Sequence, residues 1–200
     1  MQTEHTAYIV DDDSAALTSM AALLSAHNIT NRGFLSAGEF LEAYEPCWHG
    51  CALLDIRMPG MSGIELQVKM HEMGCGLPVI LVTAYGDVPL AVQGMKAGAV
   101  DFIEKPYTEE QLLDALKAAF EIVDTVSVVA ERQQEAREKI DRLSAREKDV
   151  LELLVQGMTN KEAARALDLS PRTVEIHRNR IREKTGAKSL SALIRLYGAA

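Results

Sequence analysis

The chain of 200 residues suits one large or two small domains, and its 48% hydrophobic, 25% charged and 5% aromatic residues are those of a soluble globular protein. No apolar run approaches the ~20 residues of a membrane-spanning helix, and the start, MQTEHTAY, lacks the basic segment and apolar core of a secretory signal, so a cytoplasmic protein without a membrane partner is expected. The net charge of −8 is unevenly placed: residues 1–107 carry 5 Lys or Arg against 13 Asp or Glu, residues 108–142 carry 5 against 9, and residues 143–200 carry 11 against 7, so an acidic front precedes a basic tail and two domains with different partners are expected.

In chain order, Ala7–Val10 reads as a strand, Ala15–Ala26 as a helix with Leu17, Met20, Ala21 and Leu24 on one face, and Thr30–Phe34 as a weak strand. Ala37–Tyr44 reads as a short helix, Ala52–Leu54 as a buried strand and Gly63–Met73 as a helix. Pro78–Thr83 is a strong buried strand, Val88–Ala97 a helix and Val100–Ile103 the last strand. A helix after Pro106 completes the alternation, which implies an α/β doubly wound, five-stranded parallel sheet with helices on both faces. The unbroken apolar run Val79–Val82 fits, because central parallel strands are buried on both sides. Cys47, Cys51 and Cys75 lack disulfide-scaffold density, and Cys47-Trp48-His49-Gly50-Cys51 has no second ligand pair, so these read as free thiols.

The stretch Tyr8-Ile9-Val10-Asp11-Asp12-Asp13-Ser14 runs three carboxylates together after an apolar strand, at the cost of mutual repulsion. Ligands of open parallel sheets bind outside the carboxyl ends of the strands. The first strand ends in Asp11-Asp12, the third in Asp55 and the fourth in Thr83, while Lys105 follows the fifth. Polar groups are costly to leave unpaired at such a mouth. Clustered carboxylates suit a hard divalent cation. Either Asp11 with Asp12, or in the shifted register Asp12 with Asp13, supplies the first strand's ligands; in the first register Asp13 falls at the helix entry, where a carboxylate is favourable.

Residues 7–107 resemble the receiver domain of two-component response regulators (a CheY-like fold). The resemblance rests on Val10-Asp11-Asp12, on Leu54-Asp55-Ile56-Arg57-Met58-Pro59-Gly60-Met61-Ser62-Gly63, on Thr83-Ala84 and on Lys105-Pro106. It implies that Asp55 is the phosphoacceptor and that Mg2+ (or Mn2+) is held by Asp11, Asp12, Asp55 and the backbone carbonyl of Arg57. It implies that Thr83 and Lys105 contact the phosphate, that Phe102 changes exposure with Thr83, and that the Lys105–Pro106 peptide is cis. The loop between Gly60 and Gly63 would shape one wall of the pocket.

From Thr108 to Arg142 no Pro or Gly interrupts a helical pattern. Leu112, Leu116, Ala119, Val123 and Val126 follow steps of 4 and 3, diluted afterwards by Gln133 and Arg137, and read as a heptad seam that pairs across a dimer. The competing reading is a receiver helix followed by a polar linker. The domain boundaries expected are 1–120, a linker helix 121–142, and 143–200.

Ser144-Ala145-Arg146-Glu147 is a capping box, and the helix it opens runs to Gln156, closed by Gly157. Thr159-Asn160 caps a helix Lys161–Leu167, and Ser170-Pro171 caps a helix Pro171–Lys184 that carries Arg172, Arg178, Arg180, Arg182 and Lys184. A last helix covers about Leu190–Tyr197. Residues 143–196 resemble the LuxR/NarL-type helix-turn-helix, on Leu143-Ser144-x-Arg146-Glu147, Gly157-x-Thr159-Asn160-Lys161-Glu162, Arg172-Thr173-Val174-Glu175-x-His177-Arg178 and Lys184-x-Gly186-Ala187. The whole chain is most similar to the FixJ group of regulators. In a recognition helix lying in the major groove, Glu175, Ile176 and Asn179 would read base edges. Lys161, Arg172, Thr173, Arg178 and Arg182 would hold phosphates, and His177 falls toward the core.

The resemblance implies a response regulator that a sensor histidine kinase phosphorylates on Asp55, that forms a homodimer on phosphorylation, and that binds double-stranded DNA at a two-fold operator to regulate transcription. An enzyme of the aspartyl-phosphate phosphatase type is the alternative from another class, and it has no use for the basic tail. A DNA-binding regulator with a phosphorylation-independent receiver is a third reading, which the intact set of acids, Thr83 and Lys105 argues against.

Overall fold

The computed structural model describes residues 5–84 and 88–200. Residues 1–4, on which the reading of no secretory signal partly rests, lie outside the described residues. The chain divides into two compact units, residues 1–126 and 127–200.

In the first unit the strands are β1 (Thr6–Val10), β2 (Thr30–Phe34), β3 (Gly50–Asp55), β4 (Val79–Ala84) and β5 (Asp101–Lys105). They alternate with helices α1 (Ser14–Ala26), α2 (Ala37–Ala43), α3 (Gly63–Glu72) and α4 (Val88–Lys96). The sheet is parallel with the order β2-β1-β3-β4-β5, so the chain reverses its direction of winding after β2. That reversal opens a crevice between the carboxyl ends of β1 and β3.

Alternation along each strand splits the core into two layers. Tyr8, Val10, Ala52, Leu54 and Leu81 face Phe34, Phe40, Leu66 and Met70. Ala7, Ile9, Cys51, Leu53, Ile80 and Val82 face Met20, Leu24, Leu112, Leu116 and Ala119. Each buried Leu or Ile contributes about 1.5–3 kcal/mol. The central strand β3 is buried at all six positions, as expected of a strand covered on both faces.

The long helix is continuous as α5 (Glu109–Asp141). The heptad seam needs correction. Leu112, Leu116 and Ala119 pack into one core layer of the first unit, and Val123 is buried, so they are not available to a partner helix. An amphipathic helix on a sheet and a coiled coil both need one apolar residue every three or four, and over four turns the two spacings coincide. Of the seam only Val126, 61% exposed, reaches solvent.

The second unit has α6 (Ala145–Val155), α7 (Asn160–Ala166), α8 (Pro171–Thr185) and α9 (Leu190–Ala199). Ser144 and Thr159 close capping boxes with Glu147 and Glu162, and Ser170 caps α8 with Pro171 in its first turn. Gly186 ends α8 at φ 71°, a left-handed conformation that favours glycine. Val150, Leu151, Leu154, Ala163, Ala164, Val174, Ile181 and Leu193 form one small core.

Candidate functional site

The strand ends bring a charged cluster together. Asp11, immediately after β1, and Asp55, the last residue of β3, are buried, at 2% and 8% exposure. Lys105, the last residue of β5, donates from Nζ to both: 2.8 Å to Asp11 Oδ2 and 2.6 Å to Asp55 Oδ1. The second oxygen of each carboxylate accepts a backbone N–H, from Asp13 to Asp11 (2.9 Å) and from Arg57 to Asp55 (2.8 Å). Thr83 is buried in β4, two residues along from Leu81.

The three adjacent acids take three different places. Asp11 is buried, Asp12 is exposed, and Asp13 is the N-cap of α1, accepting from the N–H groups of Ala15 and Ala16. This is the first of the two registers, with Asp13 spent on the cap. The loop after β3 is tight. Gly60 stands at φ 80°, and a Cβ at Gly63 would lie 2.2 Å from the backbone oxygen of Asp55, so glycine lets α3 begin directly against the Asp55 main chain. Ser62 caps α3 and Glu65 completes its capping box. The Lys105–Pro106 peptide is cis, as expected.

The electrostatics leave this cluster short of positive charge. Burial pushes the Asp55 carboxyl above its ordinary range, and the Asp11 charge adds to this, against the opposing pull of Lys105 and the Arg57 N–H. Burial works against the Lys105 ammonium, but the hydrogen bonds to Asp11 and Asp55 outweigh it and hold Lys105 above its ordinary range. Two buried carboxylates thus share one ammonium, with a third acid, Asp12, at the rim. A divalent cation with a preference for oxygen ligands fits that donor set.

Phe102, on the edge strand β5, is 42% exposed, and Val92 and Met95 of α4 are exposed too. In β5 it is Ile103 that faces the core.

On α8, Val174, Ile181 and Thr185 face inward, and Arg172, Glu175, Ile176, Asn179, Arg180 and Arg182 are exposed, as is Lys161 on α7. Ile176 is 46% exposed between charged and polar neighbours, an arrangement that packing within the domain does not explain. Two of the residues expected at phosphates have partners within the domain. Arg178 donates from Nη1 to Asn160 Oδ1 at 2.6 Å and ties α8 to the start of α7, and the Thr173 hydroxyl lies 2.8 Å from the Ser170 hydroxyl at the helix cap. His177 is half-buried, with Nδ1 shielded from solvent.

The sequence reading saw Glu147 only as part of a capping box and missed its partner Lys184. Glu147 is 2% exposed, and its Oε2 accepts from the Ser144 N–H (2.8 Å) and from Lys184 Nζ (2.6 Å), joining the start of α6 to the end of the basic helix. Burial opposes its charge, but Lys184 and Ser144 together hold its carboxyl below the usual range. The capping box signalled half of this arrangement; the partner 37 residues on had no local signal.

Residues 7–117 match the response regulator receiver domain, and residues 141–197 match the luxR family of bacterial regulatory proteins. The chain belongs to the two-component response regulators of this two-domain kind. The regulator is 40% identical over 189 residues to the response regulator protein TodT of Pseudomonas putida, covering 94% of this chain and 83% of TodT. It is 39% identical over 194 residues to the transcriptional regulatory protein FixJ of Rhizobium meliloti, covering 97% and 95%. A solved structure of the response regulator StyR matches with TM-score 0.87 at 37% identity, covering 99% of this chain and 100% of that one. The regulator therefore acts in phosphorylation-dependent control of transcription, with a sensor kinase and DNA as the partners its two domains imply. Among the described residues no helix is long and apolar enough to cross a membrane.

Proposed function

We propose that Asp55 is the residue that takes the phosphoryl group, and that the phosphorylated regulator binds a two-fold operator as a homodimer. The observation that carries this reading is the buried Asp11–Lys105–Asp55 cluster at the carboxyl ends of the strands, with two acids on one ammonium. An Asp55 oxygen attacks the phosphorus of a phosphohistidine on the sensor kinase; the P–N bond breaks, its electron pair returns to the imidazole, and an acyl phosphate forms on Asp55. Lys105 then faces an added anion, and Thr83 is the hydroxyl at the neighbouring strand end. Mg2+ (or Mn2+), held by Asp11, Asp12, Asp55 and the Arg57 carbonyl, would neutralise the charge gathered on the transferring group. The rest is positioning. The Arg57 N–H and Lys105 already fix the two Asp55 oxygens, and Gly63 lets the start of α3 lie against the Asp55 main chain.

Two basic helices on one operator reinforce each other through effective concentration. With Leu112, Leu116 and Ala119 of the seam committed to the receiver core and Val123 buried, the exposed apolar side chains of α5 include Ile122 and Val126, one turn apart, and Val128 and Val129 beyond them. Glu175, Ile176 and Asn179 read bases, and Lys161, Arg172 and Arg182 neutralise phosphates. The experiment is phosphorylation by acetyl phosphate. The wild type takes one phosphoryl group only with a divalent cation, and Asp55→Asn takes none; full labelling of Asp55→Asn would move the acceptor elsewhere.

A further inference from the structure

The opposite end of the sheet carries a second cluster of metal-ligating side chains. β1 and β3 pair with Thr6 opposite Gly50, so His5 and His49 immediately precede paired residues on neighbouring strands. The Thr6 N–H donates to the His49 carbonyl at 3.0 Å, which fixes the two strand starts against each other. The His5 ring stacks on His49 (centroids 5.0 Å apart, planes at 23°) and on Phe120 (4.5 Å, 14°). α5 brings Asp124 to the same point, where its Oδ1 is 2.8 Å from His5 Nε2. One ligand atom from each of His5, His49 and Asp124 lies within 4.8 Å of the others.

We propose that His5, His49 and Asp124 bind a divalent transition-metal ion such as Zn2+, at a site separate from the phosphorylation pocket. Two imidazoles and one carboxylate suit Zn2+, Co2+ or Ni2+, whereas Mg2+ takes oxygen ligands. With metal–ligand bonds of about 2.0–2.1 Å, tetrahedral ligands stand roughly 3.3 Å apart. The His5–Asp124 hydrogen bond therefore opens by about half an ångström and any other pair closes by at most about 1.5 Å. Three protein ligands leave one position for water or a further donor. The ion would tie the starts of β1 and β3 to α5 two residues before the end of the first unit at residue 126. The strands of five and six residues put it roughly 17–20 Å from the Asp55 end of the sheet. The competing reading is a stacked histidine pair in which His5 is held by Asp124, with no affinity for metal.

The test uses untagged full-length protein with Mg2+ in excess, so that the carboxylate pocket is filled. Co2+ is titrated by its d–d absorption, and Zn2+ by competition with a chromophoric chelator. The expected result is one ion per chain, a rise in melting temperature with Zn2+, and binding weakened at least about tenfold in both His5→Gln and Asp124→Asn. Both side chains are partly or largely exposed, so these variants keep the fold, which circular dichroism checks. Cys47→Ser, an exposed thiol near the cluster in sequence, leaves the affinity unchanged. No saturable binding, affinity within twofold of wild type in either the His5 or the Asp124 variant, or loss of binding in Cys47→Ser overturns the proposal.

Discussion

The Nζ of Lys105 lies 2.6 Å from Oδ1 of Asp55, and yet burial keeps the Asp55 carboxyl above its ordinary range. One ammonium is not enough, because it is shared with Asp11. A group whose folded pKa is raised favours folding below its unfolded value, here 3.8, and loses that contribution as pH rises through the folded pKa. Without divalent cations, wild-type stability should therefore fall as pH rises out of the acid range, and Asp55→Asn should melt higher than wild type at neutral pH. Adding Mg2+ should raise the wild-type midpoint more than that of Asp55→Asn. Thermal melts of both proteins with Mg2+ and with a chelator check this; identical Mg2+ responses would place the cation away from Asp55.

The basic helix should separate into three kinds of residue. Asn179→Ala should relax discrimination at one base position by about 1–3 kcal/mol. Arg182→Ala should weaken binding to every sequence alike and lower the salt slope by about 1. Arg178→Ala should act through stability instead, because its guanidinium is engaged with Asn160 between α7 and α8. Filter binding across a salt series, together with denaturant melts, distinguishes the three; an undiminished melt and a lost phosphate contact in Arg178→Ala would return it to the DNA surface.

Glu147 links the start of α6 to the end of α8 through Ser144 and Lys184. Its carboxyl is held below the usual range, so its stabilisation is present above pH 4.5 and is lost as pH falls through the folded pKa. Glu147→Ala should cost on the order of 2 kcal/mol at neutral pH, the scale of hydrogen bonds to a charged group, reduced where Lys184 meets solvent. The cost should shrink below that range, where the wild-type carboxyl is protonated too. Urea unfolding of the second unit followed by tryptophan-independent circular dichroism at two pH values reads this directly.

Most of the first unit was legible in the sequence. The strand at Thr30–Phe34 matches residue for residue, and other ends differ by one or two residues, as at β3, which gains Gly50, Cys51 and Asp55 beyond Ala52–Leu54. Strand-end chemistry was legible because topology alone gathers it: Asp11, Asp55 and Lys105 needed only parallel order to meet. What was not legible depended on a choice between equal patterns or on distant partners. Leu112 to Val123 satisfy a coiled coil and a sheet-packing helix equally well. Arg178 reads as a phosphate ligand until Asn160, 18 residues away, is brought within 2.6 Å. Nothing local in the sequence marks Asp124, yet it sits against a histidine 119 positions earlier.

The corrected seam gives opposite expectations for neighbours on α5. Val123 is buried, so Val123→Glu should place an unpaired charge at a buried position of α5 and unfold or severely destabilise the first unit, with labelling of Asp55 lost as well. Val126 is exposed, so Val126→Glu should leave the fold and Asp55 labelling intact while weakening dimerisation. Acetyl phosphate labelling and sedimentation velocity on both variants check this; normal folding and labelling in Val123→Glu would restore the original heptad reading.

The central claim is that phosphate on Asp55 acts on DNA through dimerisation. A shift from about 1:99 to 99:1 between two states needs roughly 5.5 kcal/mol of differential stabilisation, so a measurable basal dimer is expected where the phosphate supplies less. The most direct measurement follows dimer population by analytical ultracentrifugation and operator binding by fluorescence anisotropy on the same samples, with genomic fragments captured by the phosphorylated protein as probes. The wild type should gain dimer and DNA affinity together as acetyl phosphate and Mg2+ are added, and Asp55→Asn should gain neither. A phosphorylated wild type that stays monomeric while binding its operator tightly would contradict the account and point instead to release of an inhibitory contact between the two units.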